Sequence, residues 1–360
     1  MSQRHRYNPV RLLTAGLLAL TLGLGGAAHA NERDSFRIAW SIYVGWMPWG
    51  YGDVSGIVDK WAEKYGIEIE VVQINDYIES INLYTGGRFD GVTATNMDAL
   101  TIPAVGGVDT TALIVGDFSD GNDGVVLKGA DSLAAIEGKR VHLVELSVSH
   151  YLLARGLESV GLRERDIRVV NTSDADIVGA FSSSGVQAAV TWNPQLNEMR
   201  RTPDANVVFD SAQIPGEIVD LLVVNTETLK ANPKLGKALA GAWYEIMGIM
   251  REEGAEGRAA RTEMAEASGT DLAGYEAQLA STRMFYSAEE AAAFTEGDQP
   301  RITMDRVRQF AFTHGLLGEG ARNPDFVGIE FADGSILGSP DNVRLRFTSE
   351  YMRLAAEGKL

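Results

Sequence analysis

The stretch FRIAWSIYVGWMPWGYGDVSGIVDKWAEKYGIEIEV, residues 36–71, decides the fold. Residues 36–41 are a β-rich run and predict a strand. Val54, Ile57, Val58 and Trp61 share one face at the 3.6-residue period, which predicts a helix with Asp53 as N-cap and Gly66 as terminator. Ile67, Ile69 and Val71 then alternate with Glu68 and Glu70, the pattern of a half-buried second strand. Strand, helix, strand is the repeating unit of a sheet with crossover helices.

The rhythm continues outward. Asp76 opens a helix that buries Tyr77, Ile78 and Ile81, and Gly86-Gly87 closes it. A strand is expected over 91–95, a helix over 96–105, and an apolar strand over 111–117 that runs into FSDGNDG, residues 118–124, a polar, glycine-containing domain boundary. A second set follows: strands 140–145, 167–171 and 188–191 with helices 149–160 and 176–182 between them. The chain then returns through strands 207–209 and 218–224. From Asn232 (N-cap) and Pro233 (first helical position) onward it reads as mostly helical. The expected architecture is α/β and bilobal. Lobe 1 comprises 31–117 plus 216–360, lobe 2 comprises 118–215, and two crossings join them near 115–125 and 208–220.

Composition bounds the function. The chain has 360 residues, 45% hydrophobic and 22% charged, which is globular and excludes a disordered or multi-span membrane protein. Its net charge of −17 opposes a broad grip on nucleic acid or anionic lipid. The absence of cysteine removes disulfides, thiolate metal sites and cysteine nucleophiles. HExxH, GxSxG, the Walker A pattern and GxGxxG are also absent, and no two histidines are spaced as a metal pair. Neither a cofactor nor a metal is expected, and the reading is a binder with no enzymatic activity. The run Asp120 to Gly124 lacks the ligand alternation of a calcium loop and reads as a turn near a hinge.

The amino terminus is tripartite: Arg4, Arg6 and Arg11, an apolar stretch over 12–25, and the A-x-A triplet Ala28-His29-Ala30. It predicts a signal peptide over 1–30, cleaved after Ala30, with the mature protein in the periplasm.

In open α/β sheets ligands gather beyond the carboxyl ends of strands, so the loops there supply the candidate residues. The first holds Tyr43, Trp46 and Trp49 in a Gly/Pro-rich setting, fit to stack on a flat ligand or face a cation. Later ones supply Asn96 and Asp98, Asp117, Glu145 and Ser147, and Trp192. For Asn96, Asp98 and Ser147 the plain alternative is helix capping; for the aromatic loop as a whole, packing; for Glu145, exposure at the sheet's edge. Asp220 lies within an apolar strand, where a lone charge is costly, so it needs an arginine or a ligand as partner.

Taken together, the aromatic loop, the Thr95-Asn96-Met97-Asp98 segment, LAAIEGKRVHLVELSVSHYLL (residues 133–153) and AAVTWNP (residues 188–194) resemble the periplasmic substrate-binding proteins of ABC importers in the nitrate/taurine/alkanesulfonate group. GYGDVSGIVDKWAEKYGI and FDSAQIPGEIVDLLVVNTETL are most similar to the branch associated with urea, or guanidine, carboxylase systems. The resemblance implies a bilobal type II periplasmic binding protein, expected to work as a monomer with a membrane permease and ATPase. Where the group carries GSxxHYLL this chain has Leu146 in place of the glycine. No Lys or Arg lies in the proposed cleft loops, while several carboxylates do, so a planar cation, guanidinium, is favoured over urea, and both over taurine or nitrate. Two other classes remain open: an enzyme like the pyrimidine-precursor synthases of the same fold group, with His150 pressed into service, and a ligand sensor.

Overall fold

The computed structural model describes residues 33–360. The expected signal peptide lies outside the described residues. Two sheets organise the chain. The strands in order are β1 (Ser35–Trp40), β2 (Glu68–Gln73), β3 (Gly91–Thr95), β4 (Thr110–Ser119), β5 (Asp123–Lys128), β6 (Arg140–Leu143), β7 (Arg168–Asn171), β8 (Ala188–Trp192), β9 (Ala205–Asp210), β10 (Val219–Asn225), β11 (Thr282–Met284), β12 (Gly328–Glu330), β13 (Ile336–Leu337) and β14 (Val343–Phe347).

The first sheet runs β13-β12-β14-β4-β10-β3-β1-β2, with β11 on β4; the second runs β7-β6-β8-β5-β9. The chain passes from the first to the second between Ser119 and Asp123 and returns between Asp210 and Val219. Both passages lead directly from β4 and into β10, which pair antiparallel. These two strands are buried along nearly their whole length, as expected of strands covered on both faces, and so read as continuous apolar runs.

Several local expectations hold for identifiable reasons. Gly66 ends its helix in the left-handed region at φ 65°, where a side chain would be strained. Asp76 caps the helix Tyr77–Thr85 by accepting from the Glu79 N–H. Others are corrected. Asp53 is not an N-cap: helices span Met47–Val54 and Ile57–Tyr65, Gly56 with φ 74° breaks them, and Val54 is left exposed. The mostly helical carboxy-terminal part contains β11–β14, strands of two to five residues that are too short to show a period. β5 has no counterpart in the sequence reading, because Gly-Val-Val-Leu is a short apolar run without alternation.

Candidate ligand-binding site

Between the sheets lies a pocket lined by Tyr43, Trp46, Tyr77, Thr95, Asp123, Val148, Trp192, Ile218 and Asp220. Its open volume is about 10 Å³, roughly the room one water molecule needs. The contributions come from strand ends and the loops beyond them. Tyr43 and Trp46 follow β1, Thr95 ends β3, Asp220 is the second residue of β10, Asp123 begins β5 and Trp192 ends β8.

The wall is aromatic and continuous across both sheets. Tyr43 meets Trp46 edge-on at 4.9 Å, Trp46 meets Tyr77 at 5.5 Å, and Tyr77 meets Trp192 edge-on at 5.6 Å.

The floor is acidic. Asp117 and Asp220 stand directly opposite each other on β4 and β10, and the Tyr43 hydroxyl donates to Asp117 Oδ1 at 2.8 Å. Asp117 Oδ2 is buried and has no hydrogen-bond partner among the described residues. A Cβ on Gly45 would lie 2.4 Å from that oxygen, so the backbone passes over the carboxylate only because this residue is glycine. Burial pushes both carboxyls up, and the mutual repulsion pushes Asp220 furthest. Asp123 is pushed up to about 7 by burial, which the Ser119 and Asn122 side chains partly offset. Asp98 lies behind Tyr77 and Thr95, whose hydroxyls donate to its Oδ2 at 2.7 and 2.9 Å. Burial raises it to about 6 against the pull of those bonds and of the nearby Val148 N–H, and its Oδ1 is unpartnered. Val148 opens the helix Val148–Ser159, so the protein's own carboxylate occupies a helix end that would otherwise attract an anion. No lysine, arginine or histidine lines the pocket.

Of the residues expected from sequence, the structure brings Tyr43, Trp46, Trp192 and Asp220 to the pocket, with Asp117 and Asp98 immediately behind its lining. The other four lie elsewhere. Trp49 stacks on Trp243 at 5.2 Å in the core, on the far side of a helical turn from Trp46. Asn96 fastens the returning passage: its Nδ2 donates to the Glu217 carbonyl and its Oδ1 accepts from the Val219 N–H. Ser147 caps the helix Val148–Ser159 and donates to the Val144 carbonyl at 2.7 Å. Glu145 is exposed, because β6 ends at Leu143 and the turn through Leu146, at φ 64°, leads Ser147 and Val148 inward instead. The left-handed turn also explains the glycine that Leu146 replaces.

Sequence reasoning missed Tyr77, Thr95, Asp123, Val148 and Ile218 as lining residues. Tyr77 was visible only as a buried helix residue. Asp123 stood in the acidic turn at the boundary, and its signal was a carboxylate directly before an apolar run.

Two α/β sheets linked by two strand passages, with a small enclosed site between them, define a bilobal binding-protein fold of the periplasmic type. The chain belongs to the NMT1/THI5-like family, whose model matches residues 60–245. It is 27% identical over 119 residues to the taurine-binding periplasmic protein of Escherichia coli (strain K12), covering 32% of this chain and 37% of that protein. The chain therefore spans well under half the length of that relative. Among solved structures it is similar to the alkanesulfonate-binding protein SsuA from Xanthomonas axonopodis pv. citri bound to MOPS, with TM-score 0.64 and 17% identity over 81% of this chain and 96% of that one. It is also similar to the periplasmic nitrate-binding protein NrtA from Synechocystis PCC 6803, with TM-score 0.57 and 12% identity over 91% and 99% of the two chains. At such identities these likenesses establish the fold.

Proposed function

We propose that this protein captures guanidinium between its two lobes and delivers it to the permease and ATPase of an ABC importer. In this reading it is exported to the periplasm after cleavage behind Ala30, acts as a monomer, and performs no catalysis. Its family membership and its likeness to sulfonate- and nitrate-binding proteins support a binding role. The ligand is argued from one observation: buried Asp117, Asp123 and Asp220 converge with no basic side chain in the lining, inside aromatic walls. Desolvated carboxylates are costly unless a cation joins them. A flat cation rich in N–H donors meets that need, with Asp117 and Asp220 accepting its N–H bonds and the rings facing its π-surface. Taurine and nitrate are anions and would meet repulsion from the same groups.

Urea is the second reading, favoured by the Trp46 indole N–H, which is buried without a partner and is a donor suited to a carbonyl. Calorimetric titration of the full mature chain with guanidinium, urea, taurine and nitrate separates these. Guanidinium should bind tightest. Tighter binding of urea reverses the ligand choice, and binding of only the anions overturns the cationic reading.

A further inference from the structure

The two carboxylates at the centre of the pocket raise a question of proton balance. Asp117 and Asp220 face each other across adjacent antiparallel strands, both fully buried, so they cannot both be ionised in the protein alone. One proton held between them would satisfy the pair: Asp117 Oδ1 already accepts from Tyr43, and its unpartnered Oδ2 can accept an O–H from Asp220 on the facing strand. Nothing packed around the pair supplies a compensating charge. Tyr43 faces it from the loop after β1, Asp123 from β5, and Tyr275 and Tyr286 from the carboxy-terminal part; all are neutral or acidic. Arg261 lies beyond those tyrosines and is bound to Glu276 and to the carbonyls of Met250 and Glu252.

We propose that the ligand-free site stores one proton between Asp117 and Asp220, and that a bound guanidinium expels it to solvent, so that capture is an exchange of one cation for another. This rests on the guanidinium reading and adds its regulation. The balance is simple: the O–H bond of the shared carboxyl breaks, the proton goes to water or buffer, and the carboxylate left behind accepts N–H bonds from the ligand. No covalent bond to the ligand forms. The site's net charge is then the same with either cation, which keeps the dry pocket from carrying an uncompensated double negative charge. Below the pH at which the pair releases its proton, affinity for guanidinium should fall about tenfold per pH unit. A neutral ligand such as urea can leave the proton where it is.

The experiment is calorimetric titration of the full mature chain with guanidinium chloride, at one pH, in two buffers of different ionisation heat. The expected result is release approaching one proton per ligand bound, with affinity rising with pH. Infrared difference spectra of the same protein should show a protonated carboxyl band that vanishes on addition of guanidinium and is missing from ligand-free Asp220→Asn. That second readout stands even if the variant binds nothing. Guanidinium binding with no proton release overturns the exchange while leaving the ligand assignment intact. Because Asp98, Asp123 and Asp174 can contribute bands of their own, the variant is read as a difference from wild type: equal protonated-carboxyl intensity in ligand-free wild type and Asp220→Asn overturns it too, by placing the proton elsewhere. Failure of guanidinium to bind at all overturns both.

Discussion

Among the tryptophans that the sequence offered as ligand contacts, Trp49 and Trp192 have parted ways. Trp192 ends β8 at the pocket and meets Tyr77 edge-on, whereas Trp49 is stacked on Trp243 within the core. Trp49→Ala should therefore cost about 3–5 kcal/mol of stability, as large aromatic truncations do, with little specific effect on affinity in whatever fraction stays folded. Trp192→Ala should weaken guanidinium binding several-fold or more, since a cation facing a ring gains about 0.5–2 kcal/mol. Denaturant unfolding and calorimetry on both variants check the pair, and equal loss of affinity in the two would contradict the assignment. Trp49 could not be told from Trp46 in sequence because those two sit in one aromatic loop, and only the helical turn from Met47 separates their directions. Glu145 failed similarly. It reads as the last residue of a strand over 140–145, but β6 ends at Leu143, and side-chain direction beyond it depends on the left-handed turn at Leu146, a conformation no propensity assigns to leucine.

The elements of both sheets were legible where they carried a period or a cap, as in the helix after Asp76 and the strand over 68–73. They were illegible where only pairing defines them, as in β5 and in the short strands after residue 280. Long-range joints were equally hidden. Glu217, in the returning passage just before β10, takes a bidentate contact from Arg155 of the helix Val148–Ser159, a bond from the Tyr151 hydroxyl at 2.6 Å, and another from Arg306 of the helix Gln299–Thr313. The two arginines lie on helices far apart in sequence, and one buried carboxylate ties both to the passage. Glu217→Gln should lose about 1–3 kcal/mol, the cost of leaving charged donors imperfectly met. Urea unfolding is the measurement. A change below a few tenths of a kcal/mol would show that solvent serves the arginines equally well.

For the molecule as a whole, the buried acids set a pH dependence of stability. Asp98 and Asp174 are raised to about 6 and Asp123 to about 7, all chiefly by burial. The folded chain therefore holds protons that the unfolded chain has lost, and stability falls as pH rises from the unfolded carboxylate range, near 4, through those values. Glu217, held below its usual range by Arg155 and Tyr151 despite its burial, acts the other way and loses its contribution as pH falls through its depressed value. The ligand-free protein should thus be most stable at mildly acidic pH, and saturating guanidinium should flatten the decline towards neutrality. Thermal unfolding across pH 4 to 8 tests this, and a stability that rises steadily to pH 7 without ligand would refute it. β4 and β10 hold a further meaning. They carry Asp117 and Asp220 within a few residues of the points where the chain leaves for the second sheet and returns from it. Any swing of one lobe on the other turns about those points, and in a lever the parts beside the fulcrum travel least. In such a swing the acids stay nearly still, and Trp192, carried on the other arm, travels further.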